Sequence, residues 1–263
     1  MSAVPSRQDP LEAALRRDRL VVFAGLLILA GLAWAYIAHL AAVMPAHPGM
    51  AMPQAKPWDL GELVGVVIMW IVMMTAMMIP SVTPVILLFA GVSRRRRVQG
   101  VLATPVSVFI LGYLLAWTCY AVLAALAQSV LHSAALLSPA MASASPLLGG
   151  GLLILAGLYQ WMPLKGACLS HCRSPLGFFS TEWREGASGA LVMGFRHGSY
   201  CVGCCWALMA LLFVAGVMNL LWVVAIAGFV LLEKVVPNGR LLGRITGVVL
   251  VGWGLWLVIS PQG

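Results

Sequence analysis

Residues 62–80 read "ELVGVVIMWIVMMTAMMIP", and no charged residue follows Glu62 in this stretch. A helix needs about 20 mostly apolar residues to cross the hydrocarbon core of a bilayer. Further runs of this kind occur at about 20–40, 105–131, 147–163, 199–217, 219–236 and 241–259. The sequence therefore predicts an all-α, polytopic transmembrane helical bundle of about seven spans, or of six spans if residues 199–236 form a partly re-entrant unit.

The composition of the chain supports the same fold class. Of its 263 residues, 62% are hydrophobic and 9% are charged, whereas about a quarter of the residues in a soluble domain are charged. Lipid offers the backbone no hydrogen-bond partners, so each span must satisfy its own peptide groups as a helix. We predict a single transmembrane helical domain at residues 20–260, after a cytoplasmic N-terminal tail at residues 1–19.

The basic residues are clustered between the apolar runs. With the N-terminus in the cytoplasm, every Lys and Arg except Lys56 lies on the inner side, as the positive-inside rule requires. The inner set is Arg7, Arg16, Arg17, Arg19, Arg94, Arg95, Arg96, Arg97, Lys165, Arg173, Arg184, Arg196, Lys234, Arg240 and Arg244. The net charge of +8 thus reflects membrane orientation, and we predict no nucleic acid partner. Glu233 and Lys234 are interpreted as interfacial residues that reach toward water.

Two short segments hold five of the 6 cysteines. Each segment places donor groups at positions i, i+3 and i+4, which lie on one face of a helix. The donors are Cys168, His171 and Cys172 in "KGACLSHCRS" (165–174), and His197, Cys201, Cys204 and Cys205 in "RHGSYCVGCCWALM" (196–209). On the predicted topology both segments lie near the cytoplasmic face, so we expect one shared pocket.

The donor types in these segments favour a soft metal ion. Thiolate with imidazole suits zinc, and thiolate with thioether suits copper(I). Two alternatives stay open, because Cys201 and Cys204 also form a CxxC pair typical of redox proteins, and cysteine packs well as a small apolar residue. A structural disulfide is not expected on the reducing cytoplasmic side. Cys119, alone in its span, is interpreted as a buried packing residue.

The second span carries a stripe of methionines along one side of the helix. Its members are Met69, Met73, Met74, Met77 and Met78. Methionine is a flexible core filler and also a soft thioether ligand for copper(I), so packing and a ligand ladder are equally compatible with this stripe. Pro80 and Pro84 are expected to end or kink the helix. The segment "HLAAVMPAHPGMAMPQ" (39–54) is interpreted either as a loop without a metal role, which is slightly favoured, or as a source of His and Met side chains for metal capture on the outer side.

Three motifs together carry a resemblance to a known family. "MWIVMMTAMMIPSVTP" (69–84), "KGACLSHC" (165–172) and "YCVGCCWALM…VAGVMNLLW…EK" (200–234) resemble a bacterial family of predicted metal-binding integral membrane proteins of unknown function. The likeness runs from about Glu62 to Lys234. It implies a multi-pass protein of the bacterial inner membrane, and it supplies no activity. The ligands it implies are Cys168, Cys172, Cys201, Cys204 and Cys205.

These observations predict a carrier or insertion factor for a soft metal, with copper(I) favoured and zinc as the second choice. Its partners would be the lipid bilayer, the metal ion, and a metallochaperone or acceptor metalloprotein. The alternatives are a membrane thiol–disulfide oxidoreductase and a structural subunit of a membrane complex. The sequence holds no P-loop, dinucleotide fingerprint or HExxH motif, so a non-enzymatic role is favoured.

Overall fold

The computed structural model describes residues 8–43, 58–100, 104–137, 142–143 and 145–260. These residues form helices, and the β pairing among them is a single bridge between Leu137 and Ser143. The helices are α1 (Gln8–Val43), α2 (Leu60–Val98), α3 (Val106–Ser133), α4 (Pro146–Tyr159), α5 (Pro163–Arg173), α6 (Pro175–Glu182), α7 (Gly186–Ala210), α8 (Leu212–Ala215), α9 (Leu220–Val235) and α10 (Gly239–Ile259). The predicted all-α class is confirmed for this part of the chain.

Five stretches of helix are long and apolar enough to cross a membrane. They are Arg19–Val43, Leu60–Val98, Val106–Ser133, Gly186–Ala215 and Gly239–Ile259. The pair α4 and α5 qualifies as a sixth if the two helices, bent by 65°, form one broken span. Helix α9 has 16 residues and falls short of the roughly 20 that a straight crossing needs. The expected count of seven spans therefore stays a prediction.

Helix α2 does not end at its prolines. It runs for 39 residues through Pro80 and Pro84 to Val98, a length of about 58 Å at 1.5 Å per residue. Of the two expected effects of these prolines, an end or a kink, the first was wrong because it weighed the local effect of proline alone. Packing of α2 against α1, α3 and α9 supports the helix on several sides, and buried helices tolerate proline when neighbouring groups compensate. The arginines at 94–97 consequently lie in the last turns of α2.

Small residues bring α3 and α7 into very close contact. A Cβ atom added at Gly198 of α7 would lie 2.7 Å from the Cβ of Ala116 and 2.9 Å from the carbonyl oxygen of Tyr113 on α3. One added at Gly194 would overlap the carbonyl oxygen of Phe109. Glycine or alanine at every fourth position allows backbones to approach in this way. The close contact places the side chain of Tyr113 beside the cysteine face of α7.

A similar contact joins α4 to α10. A Cβ atom at Gly157 would lie 2.7 Å from the carbonyl oxygen of Gly247, and one at Gly254 would lie 2.7 Å from that of Gly150. This pairing fixes the position of the first turns of α10. They lie next to α5 and to the end of α9.

We expect Gly198→Val to destabilise the protein by about 1–3 kcal/mol, the usual effect of overfilling a packed interface. The matched control is Gly252→Val, since Gly252 is also inside a helix but has no neighbouring atom within 4 Å of an added Cβ. Thermal unfolding of detergent-purified protein measures both changes. Equal unfolding temperatures for the two variants would contradict the packing described for α3 and α7.

Candidate metal site

The two cysteine segments meet in the folded chain. Helix α5 packs against α7, and the sulfur atoms of Cys172 and Cys204 lie 3.9 Å apart. Both side chains are buried. The fold therefore brings thiols from separate parts of the chain together at this pair.

Two more thiols from α7 complete the group. The thiol of Cys201 lies among those of Cys172, Cys204 and Cys205. Those of Cys204 and Cys205 also donate to the backbone carbonyl of Cys201, at 3.1 and 3.0 Å. The three α7 cysteines are each 1% exposed. We call Cys172, Cys201, Cys204 and Cys205 the thiol cluster.

A positive charge lies against this cluster. The ammonium group of Lys234, on α9, donates to the sulfur of Cys201 at 3.0 Å and to the hydroxyl of Ser81 at 3.0 Å. On the other side, the hydroxyl of Tyr113 lies 3.1 Å from the same sulfur. Cys201 is thus in contact with side chains from α3 and α9 in addition to the other thiols.

Glu233 does not reach toward water as expected, and the half-buried Lys234 contacts protein groups. Glu233 is 1% exposed and pairs with Lys165 of α5, with an Nζ–Oε1 distance of 2.7 Å. Lys234 is turned toward Cys201. An acid and a base at the end of an apolar run usually reach water, so the sequence pattern alone favoured that reading. The sequence did hold a signal for these buried contacts, namely two opposite charges at adjacent positions. Adjacent residues of a helix point in different directions, so Glu233 and Lys234 need partners on different neighbouring elements.

The methionine stripe is buried along its whole length. Met73, Met74, Met77 and Met78 are at most 1% exposed, and Met69 is 5% exposed. Ser81 continues the same face of α2, four residues after Met77, and accepts the hydrogen bond from Lys234. From Met69 to Ser81 the helix rises about 18 Å. The stripe therefore leads to the group that contacts Cys201.

The two histidines occupy different surroundings. His197 is 2% exposed, its ring centroid lies 5.1 Å from that of Phe178, and its Nδ1 atom has no hydrogen-bond partner in the described part of the chain. The ring of His171 stacks on Tyr200 at 4.2 Å, and its Nδ1 atom lies 2.9 Å from the carbonyl oxygen of Ala167. Thus His197 is a buried side chain with one ring nitrogen that makes no hydrogen bond to the described residues. The Nδ1 atom of His171, by contrast, already contacts a carbonyl oxygen of its own helix.

The remaining cysteines lie outside the thiol cluster. Cys168 is partly exposed, and its sulfur packs against α7, where a Cβ added at Gly203 would lie 2.7 Å from it. Cys119 is exposed on α3, so its interpretation as a buried packing residue was wrong. Its side chain is on the exposed face of α3. Segment 39–54, expected on the outer side, lies largely outside the described residues, and this part includes Met44, His47, Met50 and Met52. His39, near the end of α1, is exposed.

The thiols are close together, but they are not arranged as a complete set of metal ligands. Among the described residues, no three His, Cys, Asp or Glu side chains are arranged as a ready metal site. Metal–thiolate bonds of about 2.3 Å hold two sulfurs about 4 Å apart in a trigonal arrangement. The distance of 3.9 Å between Cys172 and Cys204 matches that value. The thiols of Cys204 and Cys205 would have to turn from the Cys201 carbonyl to complete such a set.

Comparison with known proteins identifies a family. The family model PpoB2, described as copper chaperone, matches residues 67–257. No curated protein and no solved structure matches the chain. The matched region is well over half of the sequence and contains the thiol cluster, the methionine stripe and Lys234. The chain belongs to the PpoB2 family of copper chaperones.

Proposed function

We propose that the protein is a membrane-embedded copper(I) chaperone that takes up the ion along the methionine stripe and holds it at the thiol cluster. The observation that carries this proposal is the burial of four neighbouring thiols from two separate helices, with the sulfurs of Cys172 and Cys204 in contact. From there the ion would pass to a metallochaperone or an acceptor metalloprotein. Copper is the cargo of this process.

The donor chemistry favours copper(I) over zinc. Thioether and thiolate sulfur are soft ligands that select cuprous copper, and both kinds of sulfur are buried here. The family description names copper, and no comparison supports zinc. The thiol–disulfide oxidoreductase alternative has no support from the family.

The methionine stripe gives the path a direction. Neutral thioethers bind copper(I) more weakly than charged thiolates do, so an ion moving from Met69 toward Ser81 would go from weaker to stronger ligands. The buried side chains exclude water from this route. Ser81 and Lys234 mark the point where the stripe meets the thiol cluster.

Lys234 supports the proposal through its charge. Copper(I) bound by two thiolates carries a net negative charge, which is unfavourable in a buried site unless a cation lies close by. The ammonium group of Lys234 is already 3.0 Å from the Cys201 sulfur. When copper takes that sulfur, the hydrogen bond to Ser81 can keep the ammonium group next to the complex.

We further propose that the chain crosses the bacterial inner membrane several times, with its N-terminus in the cytoplasm. The long apolar helices support this placement, as does the grouping of arginines at the end of α2. Arg96, in that group, pairs with Glu185 just before α7. The end of α2 and the start of α7 therefore lie at one end of the bundle, which we assign to the cytoplasmic side.

Replacing Cys201, Cys204 and Cys205 together by serine should remove the bound copper. Wild-type protein purified from copper-replete cells is expected to carry about one copper ion per chain, because the thiol cluster supplies one set of soft ligands. Elemental analysis of detergent-purified protein measures this content. The matched control is Cys119→Ser, which changes an exposed thiol and should leave the copper content unchanged. Copper-free wild-type protein, or a triple variant that keeps its copper, would refute the proposal.

The double variant Met73→Leu with Met77→Leu should slow copper loading by several-fold or more. Leucine preserves the packed volume but offers no thioether, so the final copper content should stay near that of the wild type. The measurement is the time course of copper(I) uptake by protein reconstituted in vesicles. Met209→Leu is the control, since Met209 is equally buried but lies on α7. Unchanged loading rates would assign the stripe to packing alone.

Loss of the charge at position 234 should weaken copper binding. We expect Lys234→Met to lower the affinity roughly ten- to hundredfold, since a charge-assisted contact contributes roughly 1.5–3 kcal/mol, and Lys234→Arg to restore most of it. Competition with a copper(I) chelator measures both variants, and circular dichroism checks that each is folded. Equal affinities for the methionine and arginine variants would show that the charge has no part in binding.

A further inference from the structure

A basic cleft lies where α5 meets the end of α9 and the start of α10. One cavity of about 330 Å³ is lined by Gln160, Lys165, Glu233, Arg240 and Arg244 among other residues. A second cavity of about 570 Å³ shares the two α10 arginines with the first and adds Arg173. We call these two cavities together the basic cleft. It does not include the thiol cluster.

The cleft carries an excess of positive charge. Arg240 and Arg244 are four residues apart on α10, a spacing at which like charges repel each other. Both are exposed, and neither forms an ion pair with a described acidic side chain. Glu233 is the carboxylate in the lining of the first cavity, and it is already paired with Lys165. The guanidinium groups of α10 therefore have no anion to offset them among the described residues.

Further donors in the cleft are fixed or unsatisfied. Gln160 is 6% exposed, its Oε1 atom accepts from Lys165, and its Nε2 atom has no partner in the described part of the chain. A buried donor without a partner costs about 1–3 kcal/mol, so this amide marks a place where an acceptor is missing. Arg173 is held by the carbonyl oxygens of Val236 and Pro237, each at 2.7 Å.

The start of α10 adds a helix dipole to the same place. The helix has 21 residues, and its N-cap residue Asn238 makes no side-chain capping hydrogen bond. The first N–H groups of a helix attract anions, phosphate groups in particular. Arg240 lies in this first turn and also lines both cavities. Helix end and guanidinium groups thus favour the same kind of ligand.

We propose that the basic cleft binds a phosphate group. Guanidinium groups recognise phosphate through paired N–H donors, and basic pockets between membrane helices are suited to anionic headgroups. The phosphate group could belong to an anionic phospholipid or be free in solution. Ser170 of α5 lines both cavities, two residues before Cys172, so an occupied cleft would hold α5 against α10 beside the thiol cluster. This site does not depend on copper binding.

The test titrates lipid-depleted, full-length protein with inorganic phosphate in one series and with short-chain phosphatidylglycerol in another. Thermal unfolding and native mass spectrometry measure binding. The variant Arg240→Gln with Arg244→Gln is compared with Arg95→Gln plus Arg97→Gln, which removes the same charge from exposed arginines at the end of α2. We expect binding by the wild type and the control variant, and at least about tenfold weaker binding by the cleft variant.

The two series separate the sources of the phosphate group. Stabilisation by phosphatidylglycerol alone assigns the cleft to a lipid headgroup, and equal stabilisation by inorganic phosphate assigns it to a soluble phosphate. Copper content, measured on the same samples, should be unchanged in the cleft variant, which checks its fold and keeps this test separate from that of copper binding. The proposal is overturned if neither compound binds the wild type, or if the cleft variant binds as well as the control.

Discussion

The glycine-lined surface of α7 is the constraint on which the site depends. Gly194 and Gly198 admit the backbone of α3, and Gly203 admits the side chain of Cys168 from α5. Small residues let helices approach closely enough to associate through packing and hydrogen bonds. Any larger residue at these positions would move α3 or α5 outward. The sulfurs of α7 reach Tyr113 and Cys172 because the glycines add no side chain that would separate the helices.

Helix α9 joins this packing to the charges of the site. Its adjacent residues Glu233 and Lys234 point to different neighbours, the first toward Lys165 and the second toward Cys201 and Ser81. A buried charge is very unfavourable unless it is paired, so each contact restrains the rotation of α9. The pair Lys165–Glu233 also lines the basic cleft. One turn of α9 thus borders both the thiol cluster and the cleft.

The local features of the site could be predicted from the sequence. The spacing of Cys201, Cys204 and Cys205 placed these thiols on one side of a helix because helical periodicity depends only on sequence position. The contact between Cys172 and Cys204 could only be expected in outline, since it depends on the 65° bend between α4 and α5. The bend falls just before Pro163, the first residue of α5, but its angle also depends on the packing of α5 against α7 and of α4 against α10.

Other features were missed because tertiary contacts override local preference. The prolines of α2 suggested a helix end or a kink, yet α2 continues through them to its arginines, packed against the surrounding helices. Lys234 has the position of a residue that reaches water, and the thiol cluster instead offers it a buried partner. Both errors come from judging a residue by its own segment. In a bundle with few charges, the partner of a buried charge lies on another helix.

The hydrogen bonds of the thiol cluster bear on how a chaperone releases its cargo. In the proposed function, copper binding removes protons from the thiols and breaks the bonds that Cys204 and Cys205 make to the Cys201 carbonyl. A thiol is a weak hydrogen-bond donor, so these bonds oppose full coordination only slightly, and they form again on release. A rigid shell of preset ligands would lack this opposing force. Thiols that have an alternative partner within their own helix are therefore suited to holding copper tightly enough to carry it and loosely enough to pass it on.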